Sequence, residues 1–185
     1  MEAAFALFAE RGFTEVTVSD IAERAEVGRT TFFRYFGDKQ EVVFADEQEM
    51  LNHLTERQRA LPDEAPQDLA TALGQVRGIV LELCEDATAD VARYELQQRL
   101  LSQNQELRDR SVRKMQRFAE TGEAVLLERG TPREVAVVAA QLAVACYHAG
   151  ARLAGVEAAA LVPAVDVAFT QLNVVLSDKA AHGTP

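Results

Sequence analysis

The sequence is poor in most groups that carry catalysis. It has two cysteines, Cys84 and Cys146, too few for a disulfide framework. Each lies in an apolar helical stretch, as reduced cytoplasmic thiols do, and neither has a nearby sequence partner for nucleophilic catalysis. Its three histidines, His53, His148 and His182, are scattered, and no two have metal-ligand spacing. A glycine-rich phosphate loop is missing as well. From these absences no catalytic residue, metal or cofactor is expected, and the chain does not read as an enzyme. No apolar run reaches the roughly 18 residues that span a bilayer. The longest, Val135 to Tyr147, is interrupted by Gln141. Met1 leads at once into an amphipathic segment with Glu2 and Glu10, so no secretory signal is read. A cytoplasmic location without a membrane partner is therefore expected. Basic charge is short too: 19 Lys and Arg stand against 29 Asp and Glu, a net charge of −10. That balance argues against a polyanion binder unless a basic face is hidden locally.

What the sequence does contain is apolar and helical. Its 185 residues are 48% hydrophobic, enough to bury about 70% of the unfolded surface without disulfides. Apolar residues recur at i, i+3, i+4 and i+7 in every long segment, and no strand-like alternation persists. The pattern predicts an all-α fold of about nine helices. Four compact helices precede a proline-rich break at Pro62–Pro66, the fourth running from Asp38 to about Leu61. Five longer helices follow. Asn104 is expected as an N-cap. The clearest helix start is Thr131-Pro132-Arg133-Glu134, with Thr131 as N-cap and Glu134 completing a capping box. The final helix is expected to begin near Pro163.

Function concentrates between Thr17 and Lys39. Two helices of about eight residues are joined by a tight turn, the geometry of a helix-turn-helix. From Arg29 to Lys39 the net charge is +2 within an acidic chain. Phe32 and Phe36 are i, i+4 partners and should pack inward. Arg29, Thr30, Phe33 and Arg34 then lie on the outward arc. Arginine can donate in bidentate fashion to guanine O6 and N7. Thr30 or Thr31 suits a base edge or a thymine methyl, and Phe33 offers apolar contact. Tyr35 belongs to the same candidate set. Lys39 and the Thr17 hydroxyl suit phosphates.

The residues Leu7-Phe8, Gly12-Phe13, Thr17, Ile21-Ala22, Ala25, Val27, Thr31, Phe32-Phe33, Phe36 and Lys39 resemble the signature of the tetracycline-repressor (TetR) family of bacterial regulators. The resemblance covers residues 1 to about 45. It implies a DNA-binding domain over 1–46 and a ligand-binding and dimerisation domain over 47–185. It also implies a homodimeric, ligand-responsive regulator, most often a repressor, on a pseudo-palindromic operator. A narrower resemblance rests on Thr31-Phe32-Phe33-Arg34-Tyr35-Phe36, Val42-Val43-Phe44-Ala45-Asp46, Arg99-Leu100-Leu101 and Glu106-Leu107-Arg108. It is to a subgroup with an acyl-CoA-like ligand-binding domain, typified by the mycofactocin regulator. The effector expected is thus small and hydrophobic or acyl-CoA-like.

The chain departs from that pattern in several places. Met1-Glu2 opens directly into the first helix, where the family usually carries a basic arm. The expectation is that such an arm precedes this start or is lacking. Gly28 stands where a capping Ser is common. Glu26 replaces the usual turn glycine, so the turn is expected to form without that residue's freedom at positive φ. Phe33 replaces a frequent Tyr. Together these predict modest DNA affinity, and a helical ligand-binding protein with weak or no DNA binding is the alternative.

In the second unit, small residues (Ala136, Ala139, Ala140, Ala143, Ala164 and Ala168) suggest close helix approach. By the resemblance, residues 132–178 are expected to form a dimer interface. Polar or aromatic residues within apolar faces are the candidate ligand set: Arg93, Gln97, Phe118, Gln141, Tyr147, His148 and Arg152. Arg108, Arg110, Arg113, Lys114 and Arg117 form a basic run, read chiefly as a solvated face.

Overall fold

The computed structural model describes residues 1–61 and 64–182. The first two residues of the proline-rich break, 62 and 63, lie outside the described residues. Ten helices and no strand occur among the described residues: α1 (Glu2–Arg11), α2 (Val18–Arg24), α3 (Arg29–Phe36), α4 (Lys39–Val43), α5 (Glu47–Arg59), α6 (Leu69–Thr88), α7 (Val91–Gln103), α8 (Gln105–Glu128), α9 (Arg133–Ala154) and α10 (Ala158–His182).

The helix expected from Asp38 to about Leu61 is two helices. A turn over Phe44–Asp46 divides it. The break lets Phe44 enter the N-terminal core, 4% exposed, while Asp46 turns toward the interior of the second unit. The last helix begins at Ala158, five residues before Pro163. Proline is tolerated there because it gives up only the bond to the carbonyl four residues back, near the helix start.

Two expected caps are not made. Pro132 is the N-cap of α9, with ψ 139°, and no side chain caps the helix. Thr131 is instead turned inward, 4% exposed, its hydroxyl unpartnered. Asn104 does stand at the start of α8 but makes no cap bond. Its amide donates back to the Leu100 carbonyl at 2.8 Å, closing α7.

Two cores result. The N-terminal one gathers Leu7, Phe8, Phe13, Ile21, Phe32 and Val42, and takes in Leu100 from α7 and Leu107 from α8. The larger core packs α6, α8, α9 and α10 around Leu73, Leu126, Leu161 and Phe169. The small residues of α9 belong to it: Ala136, Ala139, Ala140 and Ala143 are all at most 6% exposed. Their close approach is therefore made within the chain. Gly150 sets its limit, since a Cβ there would fall 2.5 Å from the Val165 Cα of α10. By length and composition α9 is apolar enough to cross a membrane, with mean hydropathy 1.3. Here it packs as a core helix.

Candidate nucleic-acid interface and buried cavity

The helix-turn-helix is built by local caps. Thr17 and Asp20 form a reciprocal capping box at the start of α2. The Asp20 backbone N–H donates to the Thr17 hydroxyl at 3.2 Å, and that hydroxyl and the Thr17 N–H both donate to the Asp20 carboxylate, at 2.6 and 2.7 Å. These bonds hold the Asp20 carboxyl down at about 2. The Thr17 hydroxyl expected to bind phosphate is thus already engaged.

At the far end of α2, Val27 N–H donates to the Ala22 carbonyl and Glu26 N–H to that of Glu23. This is a Schellman closure, which places its C′ residue in the left-handed region. Glu26 occupies that position at φ 55°, the one described non-glycine residue with positive φ. The turn is thus made without glycine's freedom, as expected: it keeps its usual shape and Glu26 carries the strain. Gly28 then starts α3 without a side-chain cap, as its lack of a hydroxyl predicts.

On α3, Phe32 is buried against Phe36, ring centroids 5.2 Å apart. The opposite arc is open. Arg29, Thr30 and Arg34 are exposed, with Phe33 45% and Tyr35 72% exposed, and Thr31 half-buried. Arg34 stacks beside the Tyr35 ring at 5.3 Å. Among the described residues neither Arg29 nor Arg34 is ion-paired. Such a pair of unneutralised guanidinium groups beside exposed aromatics can meet an anionic groove.

Lys39 does not share that arc. Its ammonium donates to the carbonyls of Phe13 (2.8 Å), Thr14 (3.4 Å) and Val16 (3.0 Å), and sits 4.3 Å from the Phe13 ring centroid. With its three donors engaged, Lys39 fixes the loop between α1 and α2, and the phosphate contact expected of it gives way to a positioning role.

The second feature is a cavity of about 110 Å³ enclosed by α5 to α9. Its walls are chiefly apolar, with Leu54, Val80, Leu83, Phe118, Leu126 and Val144 among them. Three of the seven candidate ligand residues line it: Gln97, Phe118 and Tyr147. Gln97 also donates to the Val43 carbonyl at 2.6 Å. Burial pushes the Tyr147 hydroxyl well up and that of Tyr94 to about 12. The Cys84 thiol, also in the wall, is pushed up to about 12 by burial, so it is an inert thiol rather than a nucleophile.

The other four candidates lie elsewhere. Gln141, His148 and Arg152 are exposed on the outer face of α9. A helix has two flanks, and these three follow the Val138 flank rather than the Ala140 one. Arg93 stands behind the cavity, 3.5 Å from Asp46 and 5.1 Å from the Phe5 ring centroid.

The basic run of α8 is split: Arg108, Arg113 and Arg117 are exposed as a solvated face requires, but Arg110 and Lys114 are buried. Arg110, 8% exposed, donates to both Glu41 oxygens at 2.6 and 2.9 Å and to Glu47 at 2.6 Å. This pairing holds the Glu41 carboxyl below its usual range. Arg117 closes the other Glu47 oxygen at 2.5 Å. Lys114, 7% exposed, lines the cavity 3.7 Å from Asp46. These residues clamp α4 and α5 to α8. Sequence reasoning missed them, although Leu107, Arg110, Lys114, Phe118 and Gly122 recur at one-turn spacing and so share a face.

An exposed cationic helix, held by a capped turn on an all-helical carrier, has the geometry of a helix-turn-helix. Residues 1–45 match the model of the bacterial regulatory proteins of the tetR family. An HTH-type transcriptional repressor of Mycobacterium tuberculosis is 43% identical over 70 residues, 37% of this chain and 35% of that protein. The mycofactocin biosynthesis transcriptional regulator of the same organism is 44% identical over 45 residues, 24% of this chain and 23% of that protein. The matches thus span about a third or less of those relatives' length. Over the whole fold, the structure of a SmeT–triclosan complex superposes with a TM-score of 0.60 at 18% identity, covering 92% of this chain and 88% of that one.

Proposed function

We propose that the chain is a cytoplasmic, ligand-responsive transcriptional repressor, with residues 1–46 as its DNA-binding unit, that binds a pseudo-palindromic operator as a homodimer. The observation that carries this reading is shared ownership of residues. Asp46, Gln97 and Lys114 each line the cavity and each also belongs to the junction that holds α4. A ligand that binds one arrangement of these side chains better than another shifts the recognition helix with them.

Arg29 and Arg34 are the base-reading residues in this scheme, with Thr30, Thr31, Phe33 and Tyr35 around them. The acidity of the unit, five basic against ten acidic residues over positions 1–47, predicts weak non-specific binding. Two half-sites read together compensate for it. The apolar residues exposed on α9 and α10, among them Val138, Leu153, Val167 and Val174, offer the faces of a two-fold helical interface. Gln141, His148 and Arg152 then belong to the α9 side of it.

The cavity favours a compact hydrophobic effector. At about 110 Å³ it is of the same order as the engineered cavity of about 150 Å³ that takes benzene. The nucleotide end of an acyl-CoA would have to remain outside.

The deciding experiment is fluorescence anisotropy on a fragment of DNA upstream of the gene, with light scattering for mass. The expected result is salt-dependent, specific binding by a dimer. Binding no tighter than to random DNA would instead favour a helical ligand-binding protein of the same fold.

A further inference from the structure

Lys114 is an anomaly among the buried and half-buried cations. Arg110 meets three carboxylate oxygens and Lys39 three carbonyls, all within hydrogen-bond reach. Lys114 is 7% exposed, yet among the described residues none of its three donors has an oxygen that close. Its nearest carboxylate oxygen, Asp46 Oδ1, is 3.7 Å away. Its hydrogen-bond acceptor is the Met50 thioether at 3.7 Å, a weak one. The Phe118 and Phe44 ring centroids stand 5.7 and 5.9 Å away.

Charge at this end of the cavity does not balance. Asp46 lies loosely between Arg93 at 3.5 Å and Lys114 at 3.7 Å, one carboxylate for two cations. The neighbouring cluster cannot supply the missing charge, because Glu41 and Glu47 are taken up by Arg110 and Arg117. Arg93 Nη2 and Asp46 Oδ1 are both buried without a hydrogen bond. A ligand ammonium would add to the excess of positive charge. A single anion would cancel it and give the Lys114 donors an oxygen acceptor. Beyond this end the walls are chiefly apolar, with the Tyr94 hydroxyl and Gln58 Oε1, both without a hydrogen bond, set among them.

We infer that the cavity takes a compact apolar carboxylate whose anion is held by the Lys114 ammonium. Its size matches one aromatic ring or a short alkyl chain, and its apolar body lies against Leu83, Phe118 and Val144. This rests on the reading of the cavity as the effector site and names the class of effector. Burial, which pushes the Lys114 ammonium toward losing its proton, is offset when the anion arrives.

Calorimetric titration of the full chain with benzoate, phenylacetate and hexanoate, each against its uncharged primary amide, tests the inference. The acids should bind about tenfold tighter or more than their amides, as a buried charge-assisted bond implies. Lys114→Met should bring acid and amide within about twofold of each other while amide binding persists. Equal binding of acids and amides by the unaltered protein would overturn the carboxylate assignment but leave the cavity reading standing. Discrimination that survives Lys114→Met would overturn the role of Lys114. If neither series binds, the effector-site reading itself falls, and this inference with it.

Discussion

The cations of α3 and those of α8 are the same side chains in the same acidic molecule, with opposite fates. Arg29 and Arg34 stand open on a short helix without an ion pair. Arg110 and Arg117 are locked onto Glu47, and Arg110 also onto Glu41. Charge count therefore says little about role here. What decides it is the face: cations on the apolar stripe of a helix are drawn into the fold, where they must be paired. Cations on the polar arc stay available to a partner.

The largest effect expected from this contrast is at Arg110. Replacing it with Ala leaves Glu47, 3% exposed, with only the half-exposed Arg117 as partner. Removing one partner of a buried pair costs about 3 kcal/mol or more, and urea unfolding should show that loss. Arg117→Ala, at 51% side-chain exposure, should cost about 1 kcal/mol or less. Equal losses at the two positions would break the distinction between buried and open cations.

Arg29→Ala and Arg34→Ala should behave in the reverse way. Each is expected to weaken specific operator binding by about 1–3 kcal/mol in anisotropy titrations. Unfolding should stay within about 0.5 kcal/mol of the parent, because neither side chain carries a bond within the fold. Lys39→Ala lies between the two groups. Loss of its charge-assisted bonds to carbonyls should destabilise by about 1.5–3 kcal/mol. A purely electrostatic loss of DNA affinity at unchanged stability would return Lys39 to the phosphate-binding set.

Smaller effects come from the turn that presents α3. Glu26→Gly relieves a left-handed residue and should stabilise by about 0.5–1 kcal/mol in the same unfolding assay. The Thr17–Asp20 box supplies a pH signature. The folded Asp20 pKa, at about 2, lies below its ordinary value of 3.8, so the stability it contributes is present above pH 3.8. That contribution is lost as pH falls toward 2. Thr17→Val should remove this part of the acid dependence, seen by following the Asp20 carboxyl resonance during titration.

The helix-turn-helix was legible in the sequence because its determinants are local. Capping residues, the i, i+4 pairing of Phe32 with Phe36 and the tight turn all act within a few positions. The same locality misled at Thr131, where a favourable capping sequence gave way to burial of its hydroxyl. Division of the fourth helix was hidden because Phe44 and Asp46 answer to different cores, and that is a tertiary fact. The α9 alanines pointed to close packing, but composition could not say whether the neighbour was α10 or a second copy. Gln97, Phe118 and Tyr147 were found as interruptions of apolar faces. Lys114 and Arg110 were missed because a charge was taken to mark the solvent side, whatever the stripe it stood on.

The seat of Gly150 against the Val165 backbone has a mechanical consequence. Two helices nested that closely cannot glide along one another without collision. In a dimer built on α9 and α10, that pair is a fixed base, like the hinge plate of a pair of callipers. The gap between the two reading tips would then change only by a swing of the N-terminal units about the α4–α5 turn. An effector would adjust the angle of the jaws and leave the plate as it stands.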